Sequence, residues 1–191
     1  MNHKSLKSFK TLGALKILRL SVMRGLLGAA LFALGVLMLP SCDSVDDDRI
    51  PYADVHLTFH TVADWNIHGV KGDAADYCIY RFEPNQKVRI PADFPYTDLD
   101  RTGVGGILLV TDVMGNCLAY DLACPYEARA NARLFVPSGQ LYAECEACGS
   151  TFDIFTNHGN PRTGPAADRG YALKRYSVVS GGALNYRVVT R

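Results

Sequence analysis

The chain has 191 residues with 20 basic and 19 acidic side chains, for a formal charge of +1. The charge is unevenly placed: residues 1–41 carry six Lys/Arg and no acid, so the remaining 150 residues hold about −5. That length suits one domain with its own core, and that sign leaves no basic surface for nucleic acid to bind.

The first segment is basic (Lys4, Lys7, Lys10, Lys16, Arg19, Arg24), and an uncharged apolar run follows from Gly25 to Pro40. This is the pattern of a signal peptide, residues 1–41, and the run is shorter than the roughly 20 residues a spanning helix needs. An uncleaved membrane anchor is the alternative. The run ends at Leu39-Pro40-Ser41-Cys42, which is similar to the lipobox of bacterial lipoproteins. That resemblance implies lipidation of Cys42 and membrane attachment through the lipid. The next residues, Asp43-Ser44-Val45-Asp46-Asp47-Asp48, read as an acidic, solvated tether over 42–50. An acidic run behind the lipidated cysteine also resembles the surface-export tag of Bacteroidota lipoproteins, implying a cell-envelope protein at the outer membrane or cell surface.

From residue 51 to 191 a single all-β domain is expected. Val55, Leu57 and Phe59 alternate with His56, Thr58 and His60, and Cys78, Tyr80 and Phe82 alternate with Ile79 and Arg81. Further strands are expected at 106–113, 117–121, 133–136, 141–144, 150–154, 172–179 and 184–190. Turn signals separate them, among them Gly115-Asn116, Pro137-Ser138-Gly139 and Ser180-Gly181-Gly182. No helical period is sustained after the signal. Short strands joined by tight turns predict an antiparallel sandwich or barrel.

The chemistry concentrates between Cys124 and Tyr176. Cys124-Pro125-Tyr126-Glu127 is followed by a strand pair, then Cys145-Glu146-Ala147-Cys148-Gly149-Ser150-Thr151-Phe152-Asp153, then Gly164-Pro165-Ala166. These motifs resemble the Rieske iron–sulfur family, in which C-x-H and C-x-x-H-G-S-x-[FY]-D loops hold a [2Fe–2S] cluster beneath a G-P-A loop. The resemblance covers about half the chain and implies a small subdomain of two loops, over about 117–166. Carried across, Cys124 and Cys145 stand at the cysteine ligand positions. Tyr126 and Cys148 stand where the two histidines would be. Ser150, Phe152, Gly164 and Pro165 would surround the centre. The altered C-x-Y and C-x-x-C pattern resembles degenerate Rieske domains of Bacteroidota lipoproteins.

A Rieske cluster owes its high potential to two neutral imidazoles on one iron. A Tyr oxygen and a thiolate at those positions give a different donor set. Three chemistries then fit Cys124, Cys145 and Cys148. They form a disulfide or metal-free site, a mononuclear site such as zinc, or a [2Fe–2S] centre with an oxygen ligand. A fourth zinc ligand would come from Tyr126, His158 or water. Cys78 and Cys117 read as small buried hydrophobes, His56 and His60 as polar strand residues, and Trp65 as packing. No hydrolase or phosphate-binding motif occurs, and no catalytic residue is assigned. The function expected is an accessory or structural envelope lipoprotein, with a Cys-rich electron carrier and a zinc-binding module as the alternatives.

Overall fold

The computed structural model describes residues 45–180 and 186–189; the expected signal, Cys42 and the ends of the last expected strand lie outside them. The fold is mostly β-sheet. Twelve strands are described: β1 (Val55–Phe59), β2 (Tyr77–Glu83), β3 (Val88–Ile90), β4 (Arg101–Thr102), β5 (Ile107–Thr111), β6 (Cys117–Asp121), β7 (Leu134–Phe135), β8 (Ala143–Cys145), β9 (Thr151–Asp153), β10 (Asn160–Thr163), β11 (Arg175–Ser180) and β12 (Tyr186–Val189). Eight form one sheet in the order β3-β2-β5-β6-β11-β12-β1-β4, and four form a second in the order β10-β9-β8-β7. Every ladder between them is antiparallel. The large sheet does not close into a barrel, although its end curls back: the Phe82 amide of β2 donates to Thr102 Oγ1 of β4 at 3.1 Å.

Strand β5 explains how two layers grow from one sheet. Its residues Ile107 to Thr111 are all buried, as a strand covered on both faces must be. Ile107 and Leu109 point into a core with Leu57, Phe59, Tyr80 and Phe94. Leu108 and Val110 point the other way, into a core with Phe152, Ile154, Cys124 and Cys145. The period of two thus divides neighbouring residues of one strand between two cores. Truncating a fully buried ring such as Phe152 to Ala would cost about 3–5 kcal/mol.

Two short helices interrupt the strands. Helix α1 (Val62–His68) starts at a reciprocal cap, in which Thr61 Oγ1 accepts from the Asp64 amide and Asp64 Oδ2 accepts from the Thr61 amide, both at 3.0 Å. Its Trp65 meets Phe59 edge to face at 4.9 Å between ring centroids. Helix α2 (Pro165–Arg169) opens on a proline at N1 and ends at Gly170, whose φ of +66° is the left-handed cap that glycine favours. Seven residues are too few for a helical period to stand out over strand alternation, so α1 is absent from the sequence expectation. Among the described residues, no helix is long and apolar enough to cross a membrane.

The described part of the acidic segment is exposed at Val45, Asp46, Asp48 and Arg49, as a solvated tether would be, yet its backbone docks on the domain. Asp46 forms an isolated parallel bridge with Tyr171: its amide donates to Gly170 O at 2.8 Å and its carbonyl accepts from the Ala172 amide at 2.9 Å. Asp47 pairs with Arg175 at 3.1 Å and Asp48 with Lys174. Arg49 lies over the Tyr171 ring at 4.5 Å, and Ile50 is buried. Cations supplied by residues 174–175 give the acidic run a place to bind that composition alone does not reveal.

Candidate metal centre

Cys124 follows β6 by three residues, and the loop it opens is held at both ends. The Cys124 amide donates to Ala132 O at 2.8 Å, and the Ala128 amide donates back to Cys124 O at 2.8 Å. Cys145 closes β8, and the turn after it returns the chain to β9. There the Gly149 amide donates to Cys145 O and the Cys145 amide to Ser150 O, each at 2.9 Å. Gly149 has φ of +69°, which an L side chain rarely adopts, so this tight return depends on glycine.

These two loops bring Cys124, Cys145 and Cys148 together, with all three sulfurs within 4.8 Å of one another. The Sγ atoms of Cys124 and Cys148 lie 3.7 Å apart. Cys124 and Cys145 are fully buried and Cys148 is half-buried. The five described cysteines are all free thiols.

Backbone amides surround the sulfurs. Those of Glu127 and Tyr126 hydrogen-bond Cys124, those of Cys148 and Ala147 hydrogen-bond Cys145, and that of Ser150 hydrogen-bonds Cys148. Such N–H···S bonds stabilise thiolates and orient them on a metal. Burial nevertheless pushes the Cys124 and Cys145 thiols up. At Cys148 burial acts in the same direction, but hydrogen bonds from the Ser150 hydroxyl and amide and from the other two cysteines outweigh it. Its thiol is held below the ordinary value.

The covering loop acts through Ser150. Its Oγ lies 3.2 Å from Cys148 Sγ and accepts from the Ala166 amide at 3.0 Å. With a lone pair taken by Ala166, the hydroxyl hydrogen is free to point at a Cys148 thiolate. A Cβ on Gly164 would stand 2.8 Å from Ser150 Cα, so glycine is needed for this approach. Pro165 then starts α2, and Phe152 fills the core beside Cys124 and Cys145.

The remaining expected positions fall elsewhere. Tyr126 is 39% exposed and reaches the site through its amide. His158, one expected source of a fourth ligand, acts on Asp112 and lines a cleft with Tyr120 and Arg175. His56 and His60 do not join the sulfurs. Among the described residues no histidine or carboxylate completes the group. Cys78 and Cys117 pack half-buried against the core around Phe59; burial pushes both thiols up, Cys117 to about 12. Sequence reading missed Asp121, a fully buried carboxylate that accepts from the Val104, Gly105 and Ala123 amides and the Tyr176 hydroxyl. It fixes the chain three residues before Cys124, and burial pushes its carboxyl up despite those donors.

The donor set does not fit a [2Fe–2S] cluster with two imidazoles, because among the described residues no histidine stands beside Cys148. It does fit one ion. Thiolates about 2.3 Å from a tetrahedral zinc ion lie about 3.8 Å apart, close to the separation of Cys124 and Cys148. A rhombic iron–sulfide core would instead spread the ligands of its two irons farther apart than those of one. Comparison with protein-family models, with curated proteins and with solved structures finds no match for this chain.

Proposed function

We propose that the chain is an envelope lipoprotein, anchored through Cys42, whose Rieske-like domain holds a single thiophilic metal ion on Cys124, Cys145 and Cys148. It serves as an accessory metal-binding module rather than an electron carrier of the Rieske kind. The observation that carries this reading is the mutual approach of three sulfurs within 4.8 Å, ringed by amide donors. Soft thiolates select zinc, copper(I) or iron over hard cations. A three-ligand site leaves a coordination position for water or an outside donor, where a structural zinc site would be closed by a fourth protein ligand. Binding would release protons from the buried thiols, so affinity should rise with pH.

The Rieske likeness rests on the order of the motifs and on their convergence: two loops at one end of a β domain, with Gly164 and Pro165 over Ser150. The lipoprotein reading rests on the sequence around Cys42. Metal analysis of the protein purified without oxygen tests the centre. One zinc or copper per chain, with no acid-labile sulfide, is expected; stoichiometric iron and sulfide would overturn the reading. Cys42→Ser tests the anchor, and normal incorporation of a metabolic lipid label by that variant would refute it.

A further inference from the structure

Three converging sulfurs can hold an ion, and two of them can instead form a bond to each other. Their surroundings decide which two. Cys124 and Cys148 lie 3.7 Å apart, so about 1.7 Å of approach reaches disulfide length. Cys148 is half-buried, whereas Cys124 and Cys145 have no exposed surface, so an outside reagent meets Cys148 first. Cys145 and Cys148 share a tight turn closed by the Gly149 amide on Cys145 O. Cys124 sits on the other loop and can approach Cys148 without breaking it.

Resting on the metal reading above, we infer that the centre is gated by oxidation: a low-molecular-weight disulfide converts Cys124 and Cys148 into an intrachain disulfide and expels the ion. Cys148 Sγ leaves the ion and attacks one sulfur of the outside disulfide; that S–S bond breaks and one thiolate departs. Cys124 Sγ then attacks Cys148 Sγ, the mixed disulfide breaks, and the second thiolate departs. Two electrons have passed from the protein pair to the outside disulfide, now two thiolates. The ion, left with one ligand, dissociates, and Cys145 takes up a proton. Exposure to such a disulfide would close the site, and thiol reduction would open it.

The test uses the full chain, reduced and loaded with cobalt(II), whose thiolate charge-transfer absorption reports occupancy, and oxidised glutathione as the disulfide. Arg129 and Arg133 separate Cys124 from the other two cysteines, while no Lys or Arg lies between Cys145 and Cys148. Tryptic mapping therefore shows a Cys124–Cys148 bond as two joined peptides and a Cys145–Cys148 bond as a loop within one. The switch predicts joined peptides, Cys145 open to alkylation after denaturation, and loss of the absorption to background. Cys145→Ser should still form the joined peptides, and Cys124→Ser should stop at a glutathione adduct on Cys148. A looped peptide, or absorption that survives oxidation, would overturn the switch alone. A reduced chain that takes up no cobalt would overturn the metal reading and the gating with it.

Discussion

The Ala166 amide and the Ser150 hydroxyl form a 3.0 Å hydrogen bond that ties the covering loop to the thiol of Cys148, 3.2 Å further on. Two segments 16 residues apart thereby set the chemistry of one sulfur. Ser150→Ala removes the hydroxyl and leaves the Ala166 amide buried without its acceptor. The Cys148 thiol should then rise toward its ordinary value, so its alkylation at neutral pH should slow in the reduced, metal-free protein. Cobalt or zinc affinity should fall about tenfold, as expected for the loss of a group supporting a ligand. Unchanged alkylation in a folded variant would show that the amides alone tune Cys148.

Asp121 makes the corresponding prediction for the first loop. Asp121→Ala leaves three backbone amides and the Tyr176 hydroxyl facing a void, at a cost of about 3 kcal/mol or more. Tyr176→Phe removes one donor and should cost about 1 kcal/mol. Urea unfolding of both variants measures the difference. Equal losses would mean that the carboxylate's amide bonds carry little of the stability.

These two anchors mark where sequence reading runs out. A short apolar run at 107–110 and the segment 117–121, set off by the Gly115-Asn116 turn, identify β5 and β6 even though β5, buried on both faces, shows no alternation. The meeting of Cys124 with Cys145 and Cys148 was legible because loop motifs and strands stand in a fixed order. Ser150 could be placed near the site, but its acceptance from Ala166 depends on a backbone amide, which has no sequence signature. Asp121 looks like any acidic residue at a strand end; only the approach of residues 103–105 shows why it is buried. The docking of Asp46–Asp48 was hidden for a similar reason, since Lys174 and Arg175 lie more than 120 residues away.

Two carboxylates should give stability opposite dependences on pH. Asp153 accepts from the amides of Phe155, Thr156 and Asn157 and from the Thr156 hydroxyl. Partial burial acts to raise its carboxyl, but these bonds outweigh it and hold it below its unfolded value of 3.8. Its contribution is therefore present above pH 3.8 and lost as pH falls through the folded value. Asp121 is raised, so its contribution is present below 3.8 and lost as pH rises through its folded value. Asp153→Asn should cost about 1 kcal/mol at pH 7, the worth of a charged cap. That cost should shrink toward zero as pH drops below 3.8. Urea midpoints of both proteins from pH 7 to pH 3 measure it, and a constant gap would show that the charge plays no part.

The sharpest test of the Rieske likeness is to restore the ligands that the sequence lacks. If the scaffold is of that type, Tyr126 and Cys148 occupy the two histidine positions, and Tyr126→His with Cys148→His would supply both imidazoles. Tyr126 is 39% exposed on the first loop, so its replacement meets little steric cost. Cys148 is half-buried on the second, and its loss removes the 3.7 Å sulfur contact with Cys124 on the first. Cys124 and Cys145 remain for the first iron. Reconstituted with iron and sulfide without oxygen, the double variant should bind two irons and two sulfides. Its reduction potential should lie between about −150 and +300 mV, as two neutral imidazoles require, and reduction should give a Rieske-type EPR signal. The parent protein under the same treatment should show no such signal, because its second iron would lack nitrogen ligands. A folded double variant that assembles no cluster would separate the three-thiolate site from the Rieske scaffold and leave the metal reading to stand on the cysteine geometry alone.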